Sequence, residues 1–252
     1  MAFALAPRPR TFGGAALALA LILADPALAQ SFTIGLDEGA GITDRALQLI
    51  ALITVLSLAP SILVMVTSFT RIIVVLSLLR TAIGVQQSPP NVVVISLALF
   101  LTAFVMTPVF TQAYRDGIQP LAANEIEFAE AFERASVPFH GFMMAHVREK
   151  DLELFVNMAP ADEQEIASPD DVPLQVLVPA FVISELKRAF EIGFLLFVPF
   201  IVIDMVVASV LMSMGMMMLP PIIISLPFKL IFFVLVDGWH LVTGSLVQSF
   251  TN

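Results

Sequence analysis

The chain has 252 residues, of which 58% are hydrophobic and only 13% charged, a balance far more apolar than that of a soluble globular domain, so it reads as a membrane protein. The net charge of −9 and the absence of cysteine exclude a basic nucleic-acid surface and a disulfide framework. The acidity is local: residues 115–191 hold fifteen acidic side chains against six basic ones.

In chain order, residues 1–29 carry Arg8 and Arg10, an apolar run and the small-x-small triplet Ala27-Leu28-Ala29. This is the pattern of a signal peptide cut before Gln30. An uncleaved first span is the alternative, but the run is too short to cross a bilayer as a helix. A short periplasmic segment, 30–45, follows. Four apolar segments then come at 46–66, 92–113, 192–211 and 222–247, each near the twenty residues that a spanning helix needs. The expectation is an all-α membrane protein of about four hydrophobic helices, in hairpins over 46–113 and 187–252, with a small helical extracytoplasmic region at 114–186. Pro60, Pro108 and Pro199 fall inside the apolar segments and predict kinks or breaks.

The connection 67–91 carries Arg71 and Arg80, which makes these two residues cytoplasmic-side anchors under the positive-inside rule. That places the N-terminus, the 114–186 region and the C-terminus outside. The same connection is apolar enough to continue from Ser61 as a buried or amphipathic helix. In the outer region, Phe128 and Phe132, then Phe139, Met143 and His146, recur at helical spacing. The spacing predicts two helices broken at Pro138, followed by a loop over 159–180. Aromatic stripes of this kind are core or subunit contact; Phe128, Phe132, Phe139, Phe142 and Glu185 are the candidates for the latter.

No pattern of an active site occurs. A phosphate-cradling loop, a paired-histidine zinc signature and cysteine are all missing from the sequence, so neither enzyme chemistry nor a cofactor is expected. The charges inside apolar segments say more: Asp204, Lys229 and Asp237 would each cost roughly 3 kcal/mol in hydrocarbon without a partner. In an antiparallel hairpin with its midpoint between Met216 and Met217, Asp204 and Lys229 lie at one depth and can pair. The alternative gives each a partner in another subunit.

The turn at that midpoint, "MSMGMMMLPP" over 212–221, holds five of the twelve methionines. Thioethers there can act as packing between helices, as soft ligands suited to copper(I), or as a deformable surface.

The stretches "PAFVISELKRAFEIGF", "MGMMMLPP" and "LPFKLIFFVLVDGWHLVTGSLVQSF", with the earlier "TSFTRIIVVLSLLRTAIGVQQSPPNVVVISLALFLTAFVMTPVF", closely resemble the FliP family of flagellar biosynthetic proteins, whose virulence-system relatives are called SctR. The resemblance runs from about residue 46 to the C-terminus. It implies a protein that is not an enzyme: several copies assemble with FliQ-like and FliR-like subunits, alongside other export apparatus proteins, into the type III export gate of the flagellum basal body in the bacterial inner membrane. Unfolded flagellar protein substrates pass through that gate. It further implies that the hairpins form a funnel largely above the bilayer plane, and that the methionine loop is a pore gasket falling on Met216, Met217 and Met218. Asp204 and Lys229 match charged positions of the family's hairpin. An equivalent subunit of an injectisome and a copper(I) transporter are the alternative readings.

Overall fold

The computed structural model describes residues 50, 53–54, 57–58, 61–85, 88–160, 168–216 and 219–251. The signal peptide, the segment 30–45 and part of the first apolar segment lie outside them. The chain divides into two units, 1–57 and 58–252, and the architecture that follows belongs to the second.

The described residues are all helical apart from turns. Helix α1, Phe69–Ile83, is buried on several sides through Ile72, Val75, Leu76, Leu79 and Ile83, and it ends at Gly84, whose φ of 90° suits a glycine C-cap. Helix α2 is Asn91–Ala113. It runs on through one π-helical turn, Tyr114–Ile118, into the short α3, Gln119–Ala122. Gly117 sits in that turn because a Cβ there would lie 2.6 Å from the Ala131 carbonyl oxygen.

Helix α4, Phe128–His146, packs on α2 and the π turn, and α5, Glu149–Met158, follows after two extended residues. Helix α6, Leu174–Ser213, has 40 residues and so runs about 60 Å, twice the thickness of the hydrocarbon layer. Helix α7, Pro221–Leu235, returns against it, and α8, Gly238–Gln248, follows after a bend of 62° and packs on α7 and α2.

The core lies around α1, which contacts α2, α6 and α7. Ile72, Val75, Ala98 and Ala189 are completely buried there, with Phe233 and Leu246 closing it from the returning helices. A second cluster, centred on Met143, Leu177 and Phe181, joins α4 and α5 to the first turns of α6. Gly193 permits the close approach of α6 to α1, since a Cβ at that position would stand 2.3 Å from a Leu78 methyl.

Three expectations change, and one is narrowed to the buried alternative. Pro138 does not break a helix: it is buried within α4, and packing on both flanks holds the helix through the one hydrogen bond that proline removes. The loop expected over 159–180 ends at Pro173, because α6 begins at Leu174 and passes through both Pro179 and Pro199. The connection 67–91 contributes the central helix of the core, the buried form of the two helices considered for it. The last apolar segment is interrupted at Asp237.

Among the described residues two helical stretches, Asn91–Ala122 and Leu174–Ser213, are long and apolar enough to cross a membrane, or three if the bent pair α7 and α8 is one span. This is an all-α membrane protein.

Candidate functional site

The second hairpin turns back on itself through a defined device. Gly215, at φ +77°, donates its N–H to the Met212 carbonyl, while the Met216 N–H reaches the Leu211 carbonyl. These two bonds are the Schellman closure of α6, which satisfies carbonyls the helix end would leave open. On the far side Pro221 occupies the first position of α7, where a missing N–H costs nothing. The glycine and the prolines thus stop one helix and start the next, and Met214 and Met216 lie in the turn that follows α6. Met212 and Met214 are 62% and 65% exposed, and Met216 is half-buried. Met217 and Met218 lie outside the described residues.

One level down, the hairpin carries its charges. The Lys229 ammonium lies 2.6 Å from Asp204 Oδ2. Ser225 Oγ donates to Oδ1 of the same carboxylate, and Ser225 and Lys229 are four residues apart, so both reach Asp204 from one face of α7. The ammonium also donates to the Ala82 carbonyl at 3.4 Å, one of the last carbonyls of α1, where a cation meets the negative end of the helix dipole. Lys229 is buried at 4% exposure, while the Asp204 side chain is 34% exposed. Of the two partnerings considered for these charges, the structure makes the one within the hairpin. Below the tip, Val206, Val210, Ile224, Phe228 and Phe232 line an entirely apolar cavity of about 590 Å³ between α6 and α7.

At the opposite end of the seam between α1 and α6 sits a second ion pair. Arg71 Nε donates to Glu185 Oε2 at 2.8 Å and Nη2 donates to Oε1. Nη1 donates to Ser249 through both its carbonyl, at 3.0 Å, and its hydroxyl, at 2.9 Å. The guanidinium lies 3.8 Å from the centre of the Phe250 ring. Arg71 is 1% exposed and Glu185 fully buried. Two expectations are therefore corrected. Arg71 is no surface anchor at a membrane face, and Glu185 is closed inside its own chain against Arg71 of α1.

Arg80 is half-buried at the opposite end of α1 and donates to Asn91 and to the Pro89 carbonyl. Of the aromatic candidates, Phe128 and Phe132 are 75% and 65% exposed. Phe139 packs on Phe110 of α2 at 5.8 Å. Phe142 is half-buried and packs within the chain on Phe181, Phe250 and His146.

Beside the Arg71 pair, Asp151 takes two hydrogen bonds from Arg148, both 2.8 Å, and one from Ser184 at 2.7 Å. The Arg148 bonds, helped by Ser184, hold the carboxyl below its ordinary range against the opposing effect of burial. Sequence reasoning missed Ser225, Ser249 and Ala82. Only the four-residue spacing of Ser225 and Lys229 could have pointed to one of them.

Among the described residues no group of three His, Cys, Asp or Glu side chains could hold a metal ion. What the arrangement offers is a rigid base, a neutralised pair of charges and an uncharged, methionine-bearing tip.

The FliP family model matches residues 52–246. Over 94% of this chain and 88% of its own length, a relative from Caulobacter vibrioides named flagellar biosynthetic protein FliP is 63% identical. Proteins of the same name from Bacillus subtilis and Aquifex aeolicus are 57% and 47% identical, over 81% and 93% of this chain and 91% and 98% of their own lengths.

Proposed function

The chain belongs to the FliP family, and on that premise we propose that it is a pore-forming subunit of the flagellar type III export gate in the bacterial inner membrane, with no catalytic step of its own. Several copies stand side by side with FliQ-like and FliR-like subunits and other export apparatus proteins, and unfolded flagellar proteins pass between them. The observation that carries this reading is the hairpin tip. Its side chains from Leu211 to Met216 are uncharged, exposed Met212 and Met214 stand beside it, and the charges beneath it are neutralised as Asp204–Lys229.

A ring of such tips does what a gasket requires. Thioethers are flexible and polarisable, so Met216, Met217 and Met218 can close around chains of different shape, while the absence of charge denies ions a stabilised path. The energy for transport comes from elsewhere in the apparatus, in keeping with a sequence that has no nucleotide-binding loop. The names of the relatives favour the flagellar role over an injectisome.

Replacing Met216, Met217 and Met218 together by alanine is expected to make cells permeable to small ions or to impair swimming, with the chain still present in membranes. Flagella on a strain deleted for this chain would sink the reading outright.

A further inference from the structure

The entry into α1 holds a polar atom that the protein itself does not satisfy. Residues 61–65 are helical, the chain breaks at Val66, Thr67 and Ser68, and α1 starts at Phe69. The break lies in the interior: Thr67 is 3% exposed and Ser68 is fully buried. Most of its polar groups find partners at once. The Val66 N–H reaches the Ile62 carbonyl at 3.0 Å, the Thr70 hydroxyl donates to the Val64 carbonyl at 3.0 Å, and the Phe69 N–H donates to the Thr67 hydroxyl at 3.3 Å. Ser68 Oγ has no hydrogen-bond partner in the chain, and among the described residues it is the one buried side-chain oxygen or nitrogen of which this holds.

The reason is the backbone at the break. A serine at the cap position of a helix ordinarily has extended dihedral angles, which aim its oxygen at the N–H of the second or third helical residue. Ser68 stands at the cap position of α1 with φ −66° and ψ −7°, and its hydroxyl does not cap the helix. The N–H groups it would serve, those of Thr70 and Arg71, have no intrahelical acceptor either.

A hydroxyl left dry and unpaired is destabilising, so a small molecule has to reach it. No neighbouring subunit can, because Ser68 is closed inside its own chain. The charges nearby select the kind of molecule. Ser68 precedes Arg71 by three residues and shares its face of α1, and it stands at the positive end of that helix; both disfavour a metal cation. Arg71 gives its charge to Glu185, so an anion would be buried without a counter-charge.

We propose that the break binds one water molecule, which accepts from the Thr70 and Arg71 N–H groups and donates to Ser68 Oγ. Buried waters make about three hydrogen bonds, and these groups supply that number. The water caps α1 in place of the serine, and it leaves no dry polar group one turn from the Arg71–Glu185 pair.

The test uses the full chain. A density map of the assembled complex, sharp enough to show ordered solvent, is expected to place one water within hydrogen-bond distance of Ser68 Oγ and of both N–H groups. An empty site, or a hydroxyl turned onto a protein acceptor, overturns the proposal. Ser68→Ala probes the same point by stability, since no direct cap is lost. A dry hydroxyl predicts an unchanged or raised unfolding midpoint in detergent, whereas loss of the anchor of the water is expected to lower it by roughly 2–4 °C.

Ser68→Cys fills the space with a weak hydrogen-bonding group and is expected to fall with it; a fall in the alanine variant alone would assign the loss to vacated space and overturn the proposal. A midpoint that rises with sodium but not with potassium would show a metal ion at the break and overturn the choice of water. A flagellated deletion strain would overturn the export-gate reading and leave the hydrated cap standing.

Discussion

At the base of the molecule Arg71 and Glu185 are both closed from water, and the guanidinium uses its donors on Glu185 and Ser249 while its face rests on Phe250. At the hairpin tip Lys229 is buried, but a third of the Asp204 side chain is open and one hydroxyl completes the site. The base pair ties together segments 114 and 178 residues apart in sequence, so α1, α6 and the C-terminal turn are fixed by one cluster. The tip pair mainly ties the two arms of one hairpin. The difference teaches where the chain is over-determined: a buried pair is expensive to break because the survivor stays charged and dry, whereas a partly solvated pair leaves its survivor near water.

The sharpest way to break this comparison is Glu185→Ala. It strands a buried guanidinium and is expected to destabilise the chain by about 3–5 kcal/mol, seen as loss of the chain from membranes or a lowered unfolding temperature in detergent. Lys229→Ala should cost less, about 1–2 kcal/mol, because Asp204 keeps Ser225 and its exposed edge. The exchange Asp204→Lys with Lys229→Asp should recover part of that loss. If the Lys229 variant is the less stable of the two, the ranking of base over tip is wrong.

A third test lies on the seam between the pairs. Gly193→Ala pushes a methyl toward the end of Leu78, a flexible contact, and about 1 kcal/mol is expected. A loss as large as that of Glu185→Ala would show that helix approach, rather than the ion pair, holds the base.

The smallest effect is that of pH at the base's neighbour Asp151. Its carboxyl is held below the ordinary 3.8, first by the Arg148 hydrogen bonds, so between the folded and unfolded values the unfolded chain binds more protons. The resulting stabilisation is complete above about pH 4 and is lost as pH falls below it. Asp151→Asn should flatten the acid limb of an unfolding profile and leave neutral behaviour of the tip pair unchanged.

Much of the hairpin was legible in the sequence because its logic is local. Asp204 and Lys229 stand equally far from the turn, and "MSMGMMMLPP" announces its own geometry, with Gly215 ending one helix and Pro221 opening the next. The base was not legible. Arg71 in an apolar connection satisfies the rule for a cytoplasmic anchor, and no pattern within reach of it points to Glu185 or Ser249. Pro138 misled in the same way: it is a breaker by intrinsic preference, yet it lies inside a continuous helix, since packing around the helix outweighs one missing hydrogen bond. The real interruption falls at Asp237, where no proline marks it.

The sequence by itself determined that this is an all-helical membrane protein of the FliP family, with a methionine turn above a pair of opposite charges, because composition, helical period and distance from a turn are properties of short stretches. Only the tertiary structure decided that α1 is the centre of the core, that Arg71 and Glu185 neutralise each other and that the returning arm bends at Asp237. Those outcomes depend on which distant helices meet, and an isolated stretch of chain carries no record of the neighbour that will remove its charge from water.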